Sequence, residues 1–83
     1  MFESGEKVFV RTVTYHTIGE IKDVENGFLH LEGASWIADS GRFHEAIGEG
    51  SLSEVEYVGE AYVNMSTIVD AFPWSHDLPT ESK

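Results

Sequence analysis

Asn26-Gly27 sits between two stretches of alternating apolar and polar residues. That arrangement constrains the fold more than any other feature of the chain. Both residues tolerate positive φ, so the pair favours a tight turn between antiparallel strands. On the incoming side Ile18 and Val24 take one face and Ile21 the other. On the outgoing side Leu29 and Leu31 share a face, opposite Phe28, His30 and Glu32. A period of two is the signature of strands. Gly33 lies six residues after Gly27, and Gly19 seven before Asn26. Glycine inside a strand marks a bulge or bend. Two glycines at similar depth predict a hairpin that folds over on itself.

The same period runs through most of the chain. Lys7–Tyr15 is rich in β-branched and aromatic residues, and Thr17–Val24 reads as its continuation, one long strand bent at Gly19. Phe28–Ala38 returns. Glu54–Val58 reads as a third strand, turned at Gly59-Glu60 into a fourth over Ala61–Met65. A short link leads to a fifth strand over Ile68–Trp74, whose Pro73 suits an edge or an end. Phe43 and Ile47, four apart, allow one helical turn, capped by Asp39 or Ser40. The expected fold class is all-β: five strands in a strongly bent antiparallel sheet forming a small open barrel, with at most one short helical turn. Residues 1–6 form a lead-in, 7–74 the barrel, and 75–83 a polar, partly loose tail.

Composition bounds the function. At 83 residues the chain supports one core. It has no cysteine, which excludes disulfides, thiolate metal sites and cysteine nucleophiles, and fits a reducing compartment or self-association. No apolar run reaches the ~20 residues of a membrane-spanning helix. The acidic, glycine-broken start at Met1–Glu6 predicts no signal peptide. Net charge is −10. The bases Lys7, Arg11, Lys22 and Arg42 fall in the first half, and from Phe43 to Ser82 there are eight acids and no base. Such a surface repels phosphate backbones and anionic membranes.

The chemistry-bearing residues form no catalytic pattern. His16, His30, His44 and His76 are separated by 14, 14 and 32 residues, without metal-ligand spacing. Asp39-Ser40-Gly41-Arg42-Phe43-His44-Glu45 gathers polar groups, but neighbouring side chains point apart and no nucleophile elbow is present. A small enzyme using Asp39, Arg42 and His44 is the weakest reading. Asp39 and Arg42 serve better as loop-fixing groups or as a pair across a subunit boundary. Trp36, Phe43, Phe72 and Trp74 exceed what so small a core needs, which directs some of them, Trp74 first, to an interface.

These pieces in this order resemble the Sm-like small β-barrel, a relative in shape of the SH3-like barrels. Ala61–Phe72 is similar to the fourth-strand, short-turn, fifth-strand ending of that family. Arg11–Tyr15, Gly19, Ala38–Phe43 and Asp70–Trp74 resemble small proteins of tailed phages, cyanophage Sm-like proteins among them, over residues 8 to 78. The resemblance implies a homo-oligomeric ring closed by the fourth strand of one subunit on the fifth of the next. The implied interface is Tyr62, Val63, Asn64 and Met65 against Ile68, Val69, Asp70, Phe72 and Trp74, with Asp39, Arg42 and Phe43 as loop or partner contacts. Edge-strand physics agrees, since ring closure removes both open edges. The family's RNA-binding motifs, Asp-hydrophobic-Met-Asn and Arg-Gly, are missing at Val24–Gly27 and Asn64–Thr67. The reading is thus a non-enzymatic assembly module without cofactor, bound to itself and to a basic protein partner rather than to a membrane. Its expected place is the cytoplasm of an infected host cell or the phage particle. The alternative is a nucleic-acid-binding ring using Lys7, Arg11, Lys22 and Arg42.

Overall fold

A computed structural model describes residues 2–39 and 43–80. Arg42 lies outside the described residues, as do the side chains of Asp39, Phe43 and His44. The expected contacts of Asp39, Arg42 and Phe43 are therefore carried forward only as proposals. The elements are β1 (Lys7–Thr12), β2 (His16–Glu25), β3 (Phe28–Asp39), α1 (Phe43–Glu49), β4 (Glu54–Asn64), a 3-10 turn (Met65–Thr67) and β5 (Ile68–Pro73). They build one five-stranded sheet in the order β4-β3-β2-β1-β5, antiparallel throughout.

The β2–β3 hairpin turns at Asn26 and Gly27, with φ of 52° and 79°, as their sequence requires. The bend expected at Gly19 and Gly33 is present: the β2–β3 register slips between Ile18 and Glu20. A Cβ on Gly19 would come within 2.9 Å of the Leu31 Cβ, so glycine lets β2 lie close on β3 at the bend.

Two strand boundaries differ from the sequence reading. The stretch from Lys7 to Val24 is two strands, because a turn interrupts it at Thr12–Tyr15. The Thr12 N–H donates to the Tyr15 carbonyl at 2.9 Å. The Thr12 hydroxyl donates to the same carbonyl at 2.7 Å and accepts from the Tyr15 N–H at 3.1 Å. A threonine side chain thus closes a turn among residues that all favour strands. Conversely, Gly59-Glu60 is no turn. Gly59, at φ 86°, is a bend inside the continuous β4, where the β3–β4 register shifts. One strand too few before the hairpin and one too many after it leave the total at five.

The sheet curls until its two ends share a core. Val63 of β4 packs in one cluster with Val8, Val10, Ile21, Leu29, Leu31 and Ala34, and Ile68 and Ala71 of β5 join it. Residues from opposite edges meeting inside is what makes the sheet an open barrel. The outer face of β1 carries Phe9, which packs with Ile18, Ile37, Val55 and Trp74 under Ala46 of α1 and Leu52. The helix runs two residues beyond the expected Phe43–Ile47 turn, and Gly50 N–H donates to the Ala46 carbonyl at 2.9 Å.

Within the segment after Trp74, expected to be polar and partly loose, His76 and Leu78 make contacts with the barrel. His76 Nε2 lies 2.7 Å from the Ile47 carbonyl, which can only accept, so that nitrogen carries the proton. Lys7 Nζ donates to the His76 carbonyl at 2.5 Å, and Leu78 packs against the second cluster. These contacts tie the segment to β1 and α1. Among the described residues no helix is long and apolar enough to cross a membrane.

Candidate assembly edges

The sheet order leaves β4 and β5 with one pairing side each among the described residues. Hydrogen-bonded and non-hydrogen-bonded pairs alternate along an antiparallel ladder, so one bond fixes which backbone groups face outward. Met65 N–H donates to the Gly27 carbonyl at 2.9 Å. Leu29–Val63 and Leu31–Ala61 are then hydrogen-bonded pairs, and Phe28–Asn64, His30–Tyr62 and Glu32–Glu60 are not. The backbone N–H and C=O of Glu60, Tyr62 and Asn64 therefore point away from β3, along the open edge.

The same argument applies to β5. Trp74 N–H donates to the Lys7 carbonyl at 2.9 Å. Phe9–Phe72 and Arg11–Asp70 are then hydrogen-bonded pairs, and the backbone of Ala71 faces outward. Pro73 closes the outward side without a donor. Val69 is the extra residue where the register slips between Arg11 and Thr12, and its side chain is 64% exposed.

The sequence-predicted interface residues divide accordingly. Tyr62 and Val69 are exposed on the two edges. Met65, Ile68, Asp70 and Phe72 are half-buried. Asn64 is exposed, but its side-chain carbonyl accepts from the Ser66 N–H at 3.0 Å and caps the 3-10 turn. Val63 and Trp74 belong to the core. Trp74, the first choice for a contact, is 3% exposed, stacks obliquely on Phe9 at 5.9 Å, and donates its indole N–H to the Asp77 carbonyl at 3.2 Å. It is a core residue because the segment after it folds back rather than leaving.

Sequence reading passed over a groove beside the open edge of β4, lined by Tyr15, Thr17, Trp36, Val58 and Tyr62. Tyr15 and Trp36 meet edge to face at 5.4 Å, each about two-fifths exposed, at 40% and 41%. Tyr15 enters through the hidden Thr12–Tyr15 turn, so no periodicity pointed to it. The Thr17 hydroxyl in the groove is buried and has no hydrogen-bond partner among the described residues.

Charges near the edges are paired. Arg11 reaches Asp70 through Nε at 2.7 Å and through Nη2, with its guanidinium 5.4 Å from the Phe72 ring centre. That hydrogen bond holds the Asp70 carboxyl below the usual carboxylate range and raises Arg11 above its ordinary value. His16, opposite Arg11, is pushed below its ordinary value by burial and then by the Arg11 charge. Lys22 lies 3.3 Å from Glu32, and this hydrogen-bonded contact raises it. Of the four bases assigned to a possible nucleic-acid patch, Lys7, Arg11 and Lys22 thus each answer a group of the protein itself. Among the described residues no group of histidines and carboxylates is placed to hold a metal ion.

No family model matches the chain, and no curated protein matches it. Among solved structures, the fold is similar to the crystal structure of a heptameric archaeal Sm protein. The TM-score is 0.60 at 20% identity, over 83% of this chain and 85% of that one. The chain therefore has the Sm-like fold.

Proposed function

We propose that this chain is a non-enzymatic subunit of a homo-oligomeric ring, in which β4 of one copy pairs with β5 of the next. The observation that carries the reading is the pair of open edges, each with outward backbone groups and an exposed apolar side chain, Tyr62 on one and Val69 on the other. An isolated sheet with such edges invites pairing, and ring closure satisfies both at once. The groove of Tyr15, Trp36 and Val58 adds an apolar surface beside β4 for the incoming strand to cover. The archaeal protein of the same fold is heptameric, which supports self-assembly of this chain without setting a ring size.

In this reading Asp39, Arg42 and Phe43 add contacts at the subunit boundary. The likeness of residues 8 to 78 to small phage proteins supports a phage origin. The engagement of Lys7, Arg11 and Lys22 within the fold, and the charge of −10, favour a protein role over nucleic-acid binding.

Native mass spectrometry and sedimentation test the ring. A single closed oligomer is expected, and Val69→Lys is expected to dissociate it into folded monomers. A wild-type 9.3 kDa monomer at micromolar concentration would overturn the proposal. So would an oligomer that Val69→Lys leaves intact. Tight oligonucleotide binding, lost on neutralising Lys7, Arg11 and Lys22, would move the function to the alternative reading.

A further inference from the structure

The outer face of β2, β3 and β4 carries a charge pattern that the fold itself does not explain. The registers align three rows across these strands. Glu20, Glu32 and Glu60 form the first, Asp23, His30 and Tyr62 the second, and Glu25, Phe28 and Asn64 the third. Like charges directly opposite one another weaken a sheet. Here three glutamates stand side by side, with Asp23 and Glu25 in the rows beyond. Lys22, at the register slip between Ile21 and Asp23, answers Glu32.

Aromatic rings are set among these carboxylates. His30 is buried, and its ring stacks on Tyr62 with centroids 4.3 Å apart and planes 17° apart. Glu60 lies 3.2 Å from His30 Nε2 and Asp23 lies 3.6 Å from Nδ1, which fixes the imidazole between two acids. Tyr62 remains 62% exposed and Phe28 43% exposed. Together with Asp23, Glu25, Asn26 and His30 they line a recess of about 550 Å³ at the hairpin end of the face. That volume is in the range of small-ligand pockets.

We propose that this recess binds a guanidinium group, presented by an arginine-bearing segment of a basic partner protein. The chemistry selects that occupant. Carboxylates repel phosphate, so an anion or a nucleic-acid backbone is disfavoured. A hard divalent cation needs several converging oxygens, and the described residues offer no such group. Aromatic walls favour a weakly hydrated organic cation, and a planar guanidinium both stacks on rings and donates hydrogen bonds from its edges to carboxylates. Among the described residues no lysine or arginine lines the recess. The site does not rest on ring formation, since its residues come from one chain.

Amide-resolved NMR titration with an octapeptide of alternating arginine and glycine tests the proposal, with the citrulline peptide as the uncharged control. Saturable shifts are expected at residues 23–30 and 60–64 at low salt, and none with citrulline. Asp23→Asn with Glu25→Gln, which keep shape, should weaken binding about tenfold, equivalent to two modest charge contacts. Phe28→Ala should weaken it about threefold through the lost ring contact. Glu54→Gln with Glu56→Gln, on β4 beyond Gly59, should leave it unchanged. Equal binding of the citrulline peptide, equal loss from the Glu54 and Glu56 changes, or no binding would each overturn the site. Calcium chloride alone producing the same shifts would overturn it in favour of a metal. The Val69→Lys monomer should also bind the arginine peptide and not the citrulline one, which separates failure of this site from failure of the ring.

Discussion

Arg11 and Asp70 face each other across the β1–β5 ladder as a hydrogen-bonded backbone pair, and their side chains close a second, two-pronged bond over it. The strand nearest one open edge is thereby pinned by an ion pair whose members are each about one-third exposed, at 34% and 33%. Asp70→Asn should cost about 0.5–1 kcal/mol, the upper part of the range for solvent-accessible pairs. Its effect depends on pH. The folded carboxyl titrates below its unfolded value, so the stabilisation is present above about pH 4 and is lost as pH falls through the folded value. Urea melts from pH 7 to pH 2 should show a shallower acid limb in the variant. An unchanged limb would mean that the pair does not persist in solution.

His16 contributes a separate acid sensitivity at higher pH. Burial and the Arg11 charge lower its folded value, so the unfolded chain takes up the proton first. Stability should therefore fall as pH drops below about 6.5, the unfolded value, and level off below the folded one. His16→Gln should remove this component while leaving the Asp70 component in place. NMR titration of the His16 ring and paired melts check both parts.

Trp74 and Val69 make a contrasting pair. Trp74→Ala removes a side chain that is 3% exposed and should cost about 3–5 kcal/mol, a large share of the stability of a domain of this size. Val69→Lys should change monomer stability by less than about 0.5 kcal/mol, since the side chain is mostly in solvent. Melting of the two variants at matched concentration, beside their masses, distinguishes core from edge.

Thr17 offers a substitution that should stabilise. Its hydroxyl is buried without a partner among the described residues, so Thr17→Val replaces that polar atom by a methyl of similar size. A gain of about 1 kcal/mol is expected in denaturant melts. A loss would show that the hydroxyl has a partner in solution.

How much of this was legible in the sequence depends on where the backbone needed a special residue. The Asn26-Gly27 turn was readable because both residues take positive φ there. The bend at Gly19 was readable because only a residue without Cβ fits against Leu31. The Thr12–Tyr15 turn was not, since a side-chain hydroxyl replaces the usual glycine or asparagine and the residues themselves favour strands. Gly59 shows the converse: positive φ bends β4 without ending it, and a sequence cannot separate those outcomes. At the edges, Tyr62 followed from alternation beside buried Val63, whereas Val69, the bulge residue of β5, came only with the family resemblance. Trp74 did not, because its burial depends on Leu78 and His76 folding back, a tertiary choice with no period. The row of Asp23, His30 and Tyr62 needed the registers of three strands and a bulge at Lys22, which no single stretch encodes.

The closing contacts of the barrel join residues far apart in the chain: Arg11 to Asp70 spans 59 positions and Lys7 to His76 spans 69. A nascent chain can form the β2–β3–β4 meander early, but β1 lacks its outer neighbour until residues 68–78 have been synthesised. Completion of the fold is thus postponed to the end of this segment's translation, and high contact order places refolding in the millisecond-to-second range of all-β domains. During that interval β1, rather than β5, is the second open edge beside β4, and its unpaired backbone is free to pair with the wrong strand.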